Sequence, residues 1–200
     1  FINKSYKRLK FLLYNKIKEE NDMTKLSALE AAKKIKMLVF DCDGVMTDGS
    51  VTYDENGVEY KTFNVKDGHG IVRMNKSGFI TAIITARNNG TVAHRAKNLN
   101  FTEVYQGRQY KLPALEELME KYNLTYENVS YMGDDLPDVC ILEKVGLACC
   151  PADAVKEVLE ICNFKSTING GRGAVRELCD FILDAQGIEK QYIVSEGANR

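Results

Sequence analysis

Three apolar runs end in polar residues that could do chemistry together. Met37–Phe40 leads into Asp41-Cys42-Asp43-Gly44, Ile80–Ile84 into Thr85-Ala86-Arg87, and Val129–Met132 into Gly133-Asp134-Asp135. In an open parallel sheet, ligands bind beyond the carboxyl ends of the strands, so the three tips would share one edge. Carboxylates converging there repel unless a cation neutralises them, and hard oxygen ligands select Mg2+ over softer metals. The cation would also draw in a phosphate and offset the charge that keeps an anionic carboxylate from phosphorus. Asp41 can then act as a covalent nucleophile. Asp43, two residues on along an extended segment, lies on the same side, where it could protonate a leaving alcohol and later activate water.

Phosphoryl transfer is otherwise a problem of positioning and charge. Thr85 can donate its hydroxyl to a phosphoryl oxygen, and Lys111, at the start of an expected helix, can place a point positive charge on nucleophile and phosphate together. Asp134 and Asp135 would hold the metal directly or through water, and Asp138 could orient Lys111. Each residue alone has an ordinary reading as a turn, a cap or a solvated side chain. Their order on successive strand ends carries the functional reading.

The elements that must position these groups alternate between short β-rich runs and helical patterns, the signature of an α/β fold with a central parallel sheet flanked by helices. Besides the three runs above, Glu103–Tyr105 and residues 146–148 read as strands. Helices are expected at about 68–77, 89–98, 112–122, 136–143, 153–160 and 173–184. Residues 50–65 interrupt the pattern: Val51, Tyr53, Val58, Tyr60 and Phe63 flank Asn56-Gly57, a strong hairpin signal. The 200 residues, 44% of them apolar, suffice for one ordinary core. We divide them into a helical N-terminal extension (1–22), a catalytic domain (23–187) and a C-terminal tail (188–200).

With 27 basic and 28 acidic residues, nothing global points to nucleic acid or an acidic membrane surface. Six cysteines form no CxxC pair and stand at no metal-ligand spacing from the two histidines, which fits a reduced cytoplasm. No apolar run reaches the roughly 18 residues of a membrane span, and no signal peptide is expected.

Asp41-Cys42-Asp43-Gly44-Val45, Thr85, Lys111 and Gly133-Asp134-Asp135 with Asp138 resemble, in order, the four motifs of the haloacid dehalogenase-like superfamily, across roughly residues 36–184. The resemblance implies a Rossmann-like core, phosphorylation of Asp41, and Mg2+ held by Asp41, the Asp43 carbonyl and Asp134. Asp43, which a dehalogenase would normally lack, points to phosphoryl transfer.

More narrowly, residues 43–49, 63–68 and 170–177 resemble the 3-deoxy-D-manno-octulosonate 8-phosphate phosphatases. That similarity implies a capless homotetramer of lipopolysaccharide-sugar synthesis, with the hairpin at 50–65 in place of a cap domain and a neighbouring subunit's hairpin or tail over the active site. Arg87, two residues after Thr85, is then the candidate for a substrate carboxylate. Lys66 and Asp67 would line the mouth, and Arg172 would reach across a subunit boundary. Two alternatives stay open: an acylneuraminate 9-phosphate phosphatase with the same catalytic set, and a noncatalytic oligomerisation module of the kind attached to cytidylyltransferases. Cys42, Ala86 and Tyr110 depart from residues usual at their positions, and Tyr110 bears on hydrogen bonding around Lys111.

Overall fold

A computed structural model describes residues 28–189; the expected N-terminal helix and most of the tail lie outside them. Residues 28–32 are helical, and the sheet begins with β1, Met37–Phe40. Six strands then form one parallel sheet in the order β5-β4-β1-β6-β7-β8, with β4 at Ile80–Ile84, β5 at Glu103–Tyr105, β6 at Val129–Met132, β7 at Leu147–Cys150 and β8 at Phe164–Lys165.

All four residues of β1 are buried, as a central strand covered on both faces requires. Side chains alternate across the sheet. Leu38 and Phe40 join Ile71, Met74, Leu178 and Ile182 on one face; Met37 and Val39 join Leu115, Leu118, Ile141 and Val158 on the other. The first face is covered by α1 (Val65–Lys76) and α6 (Ala174–Ala185), with α2 (Gly90–Asn98) contributing Val92 and Ala96. The second is covered by α3 (Lys111–Tyr122), α4 (Val139–Leu142) and α5 (Lys156–Ile161). Each fully buried Leu or Ile in these layers contributes about 1.5–3 kcal/mol.

The chain leaves β1 for β4 and β5 on one side and returns to β6 on the other, so strand order reverses at β1. The crevice for a ligand therefore opens at the end of β1, where Asp41 stands.

The hairpin forms as β2 (Thr52–Tyr53) and β3 (Glu59–Tyr60), antiparallel and outside the main sheet. Gly57 takes the left-handed conformation its turn needs (φ +79°), and Asp54 Oδ1 accepts from the backbone N–H groups of Asn56 and Val58, both at 2.9 Å.

Two boundaries and one additional strand differ from expectation for local reasons. Helix α1 starts at Val65 rather than 68, because the Asn64 side chain caps it by accepting from Lys66 N at 2.8 Å. The helix expected at 136–143 begins as a 3-10 turn, Leu136–Asp138, with Pro137 inside it and Asp135 as its cap. The edge strand β8 has two residues, too few for a periodic pattern to reveal.

Candidate active site

Asp41 and Thr85 directly follow strands, and the ladder still holds both: Asp41 N donates to Met132 O at 3.0 Å and Thr85 N to Tyr105 O at 3.0 Å. Lys111 is the first residue of α3. A cation at a helix N-terminus is electrostatically misplaced, and this one is offset by two carboxylates. Its Nζ lies 3.0 Å from Asp41 Oδ1 and 2.6 Å from Asp138 Oδ1.

Asp138 is itself fully engaged. Oδ1 also accepts from the Tyr131 hydroxyl at 2.6 Å, and Oδ2 accepts from the N–H groups of Asp134 at 3.1 Å and Asp135 at 3.3 Å. Asp138 thereby ties Lys111 to the Asp134 loop.

Two glycines permit the crowding. A Cβ on Gly44, which has φ +83°, would meet Asp134 Oδ2 at 2.0 Å; one on Gly133 would meet Asp138 Cγ at 2.4 Å. The loop carrying Gly44 is braced from behind by Gly170, whose Cβ would lie 1.7 Å from Gly44 O, and by Gly171 N, which donates to Val45 O at 2.9 Å.

The electrostatics are those of an uncompensated anion site. Burial, offset in part by Lys111 and reinforced by Asp138, pushes the Asp41 carboxyl up to about 6. Burial, with the charges of Asp41 and Asp138, pushes Asp134 up to about 8. Asp134 Oδ1 is buried without a hydrogen-bond partner. Oxygens of Asp41, Asp134 and Asp138 lie within 4.8 Å of one another, the one acidic group among the described residues with metal-holding geometry.

Asp138 has spent its acceptors on Lys111, Tyr131 and two N–H groups, so Asp41 and Asp134 are the carboxylates with capacity for a cation. The donor set is all oxygen and fits Mg2+. The cavity in front has a volume of about 290 Å3 and is lined by Asp41, Asp43, Thr85, Arg87, Lys111 and Asp134, among others. Two larger cavities, about 430 Å3 each, lie away from this cluster and contain none of these residues.

The haloacid dehalogenase-like hydrolase family matches residues 6–178. The chain belongs to that family. Among curated relatives, the 3-deoxy-D-manno-octulosonate 8-phosphate phosphatase of Escherichia coli is 46% identical over 78% of this chain and 83% of its own length. A probable phosphatase from Pseudomonas syringae has a solved structure that superposes with a TM-score of 0.80 at 44% identity, covering 82% of this chain and 93% of that one. The Moraxella catarrhalis 3-deoxy-D-manno-octulosonate 8-phosphate phosphatase, solved with magnesium, phosphate and KDO, superposes with a TM-score of 0.79 at 38% identity, covering 80% and 92%.

Other residues of the hydrolase fall into two groups. Arg87 lines the same cavity, 2.6 Å from Glu59 Oε2 and 3.3 Å from the Tyr53 hydroxyl, both on the hairpin. Asp135 lines it too, its carboxylate accepting from Leu136 N at 2.7 Å.

Lys66, Asp67 and Arg172 are not brought there. Because α1 starts early, Asp67 falls in its first turn facing α6, where it is buried and accepts from Arg176 N at 2.8 Å. Lys66 and Arg172 line a separate cavity beside α6, and Arg172 pairs with Asp48 of its own chain at 2.8 Å. Cys42 sits in the core; burial, then the charges of Asp43 and Asp41, pushes its thiol up to about 12, so it serves as a small apolar residue. Tyr110 is 85% exposed and caps α3 without a side-chain hydrogen bond, which leaves the orientation of Lys111 to Asp41 and Asp138.

The sequence reading missed Lys61 and Glu59. Lys61 Nζ contacts Asp43 Oδ1 and lies 2.9 Å from Glu59 Oε1. The available signal was the i, i+2 spacing of Glu59 and Lys61 in a strand, which puts both on one face of the ribbon.

Proposed function

We propose that the chain is a Mg2+-dependent phosphomonoesterase that hydrolyses 3-deoxy-D-manno-octulosonate 8-phosphate to the free sugar acid and phosphate. The observation that carries the reading is Asp41 at the switch point, its Oδ1 3.0 Å from Lys111 Nζ, with Asp43 two residues on at the same cavity. The likeness to phosphatases of this sugar acid supplies the substrate.

When bound by Asp41, the Asp43 carbonyl and Asp134, Mg2+ supplies positive charge that lets an anionic carboxylate approach an anionic phosphate. An Asp41 carboxylate oxygen attacks phosphorus, the bond from phosphorus to the sugar oxygen breaks, and Asp43 donates a proton to that oxygen. Asp43, now a carboxylate, takes a proton from a water as that water's oxygen bonds to phosphorus. The Asp41 acyl-phosphate bond breaks, returning Asp41 and releasing inorganic phosphate. Lys111 holds the attacking oxygen of Asp41, and the Thr85 hydroxyl donates to the phosphoryl group. Arg87 meets the substrate carboxylate at the hairpin side of the cavity.

Assembly as a cytoplasmic homotetramer is part of the same proposal. The hairpin exposes Val51, Tyr53, Val58 and Tyr60, each half or more accessible, and contiguous apolar surface of this kind suits a subunit contact. The six free cysteines suit a reducing compartment. Among the described residues no helix is long and apolar enough to cross a membrane.

The test is turnover of the purified eight-carbon and nine-carbon sugar acid phosphates with Mg2+, alongside an aryl phosphate. Wild type should prefer the eight-carbon substrate, and Asp41→Asn should lose at least about 10^4-fold in kcat. A strong preference for the nine-carbon acid overturns the substrate. Equal, near-background rates for wild type and Asp41→Asn on the aryl phosphate overturn the enzyme.

A further inference from the structure

We infer that Lys61, on the hairpin, is a positioning residue for Asp43, so that the ribbon takes part in the proton transfers of its own chain's active site. The inference rests on the phosphatase reading above. Lys61 directly follows β3, a two-residue strand outside both cores, where a lysine would ordinarily point its ammonium into water. Its side chain is instead 2% exposed. The charge is met by two carboxylates: Asp43 Oδ1, in direct contact, and Glu59 Oε1 at 2.9 Å.

The ammonium donates to Asp43 Oδ1, and the Glu59 carboxylate beside it supplies a second negative charge. Burying a charge from so small an element costs more than leaving it in solvent, and the contact it makes is to a reacting group.

Glu59 extends the connection. Its Oε1 faces Lys61 while its Oε2 lies 2.6 Å from Arg87, and Arg87 also reaches the Tyr53 hydroxyl on β2 at 3.3 Å. One carboxylate of the hairpin thus fixes both the lysine at Asp43 and the arginine at the cavity wall.

Asp43 has no comparable restraint from the sheet. Asp41 is held by the β1–β6 ladder and by Lys111, whereas the Asp43 side chain is 27% exposed and projects from the turn beyond the strand. Lys61 supplies a second point of attachment from the opposite wall. Proton donation to the leaving oxygen requires the carboxyl within hydrogen-bond reach of it, so a carboxyl free to rotate slows the steps that move a proton and leaves phosphate binding intact.

The test compares Lys61→Met and Lys61→Arg with wild type. For the sugar acid phosphate, whose alkoxide must be protonated as it leaves, Lys61→Met should lower kcat by about 10^2-fold with KM within about threefold. For 4-nitrophenyl phosphate, whose leaving group needs no proton, the first-turnover release of nitrophenolate should be unchanged. The steady-state rate should still fall, because the water step also uses Asp43. Lys61→Arg, which keeps the charge, should recover at least about a tenth of the wild-type kcat.

Should Lys61→Met lose the wild-type circular dichroism and melting temperature, Glu59→Gln, which weakens the second anchor of the ammonium, carries the same comparison of leaving groups. An active wild type with unaltered kcat in Lys61→Met overturns the inference. Equal loss in the first turnover on both substrates also overturns it, because Lys61 would then act on phosphate rather than through Asp43. An inactive wild type fails the phosphatase reading instead.

Discussion

The two walls of the active site are built on different principles. The inner wall, with Asp41, Thr85, Lys111, Asp134 and Asp138, gathers at the ends of buried parallel strands, where Asp138 ties Lys111, Tyr131 and the backbone of the Asp134 loop together at 2.6–3.3 Å and Lys111 reaches Asp41 at 3.0 Å. The outer wall, with Glu59, Lys61 and Arg87, depends on a hairpin of two-residue strands that packs into neither core. The inner wall inherits its rigidity from the sheet, so it can hold reacting atoms in place. The outer wall is held mainly by its own ion pairs and can vary without disturbing the core. On the reading above, the nucleophile and the charges that activate it belong to the first wall, while the placing of Asp43 and the discrimination among phosphorylated substrates belong to the second.

That division can be attacked from the inner wall first. Lys111→Met removes the one side chain that bridges nucleophile and Asp138, and leaves two buried carboxylates facing each other. Loss of a preorganised charge aimed at the reacting group should cost about 10^2–10^3-fold in kcat on sugar and aryl phosphates alike. If only the sugar phosphate suffers, the inner wall also takes part in recognition and the division fails.

On the outer wall, Arg87→Ala should raise KM for the sugar acid phosphate by about 10- to 100-fold and leave 4-nitrophenyl phosphate turnover within about twofold, since only the former offers a carboxylate. Comparable loss on both substrates would place Arg87 in the catalytic step and erase the contrast.

The smallest effect concerns the charge balance of the inner wall. Asp134 at about 8 and Asp41 at about 6 lie above the ordinary 3.8 of an aspartate in the unfolded chain. A carboxyl raised on folding favours the native state fully below its unfolded value, and that contribution is lost as pH rises through the folded value. The metal-free protein should therefore lose stability from about pH 4 upward, as both carboxyls ionise more readily in the unfolded chain, with the Asp134 share of the loss continuing between about pH 6 and pH 8; Mg2+, which binds the ionised pair, restores it. Calorimetric titration should show apparent Mg2+ affinity rising by up to about tenfold per pH unit over this interval and levelling off above about 8. A flat profile would mean that the carboxylates are already ionised without the metal, and that Lys111 alone balances the wall.

The same contrast governs what could be read in advance. Most of the inner wall was legible because its groups stand at or just past the end of a buried apolar run, as Asp41, Thr85 and Asp134 do, or open a helix, as Lys111 does, positions that sequence periodicity locates well. The hairpin too was legible, from Asn56-Gly57 and the flanking apolar residues. What the hairpin touches was not. Lys61 looked like one more solvated lysine, since nothing in local spacing says that a ribbon folds back over the turn containing Asp43.

Asp67 went astray for a related reason. Asn64 starts α1 early, and one turn of helix decides whether a carboxylate faces the mouth or the N-terminus of α6. The glycine-rich segment at 170–173 was recognised as distinctive, yet its Gly170 and Gly171 serve as close packing against the loop of Gly44, Thr47 and Asp48.

By itself, then, the sequence determined the parallel α/β sheet, the strand tips that carry the reacting groups and their acidic, cation-requiring character, because hydrophobic period and the order of strand-end residues are local properties. Only the tertiary structure decided that Asp138 serves Lys111 and is not itself free to hold a metal, that Gly44 and Gly133 make room for two carboxylates, and that Lys61 and Glu59 complete the site. Those facts depend on contacts between segments far apart in the chain, where distance and burial, not spacing, set which charges meet.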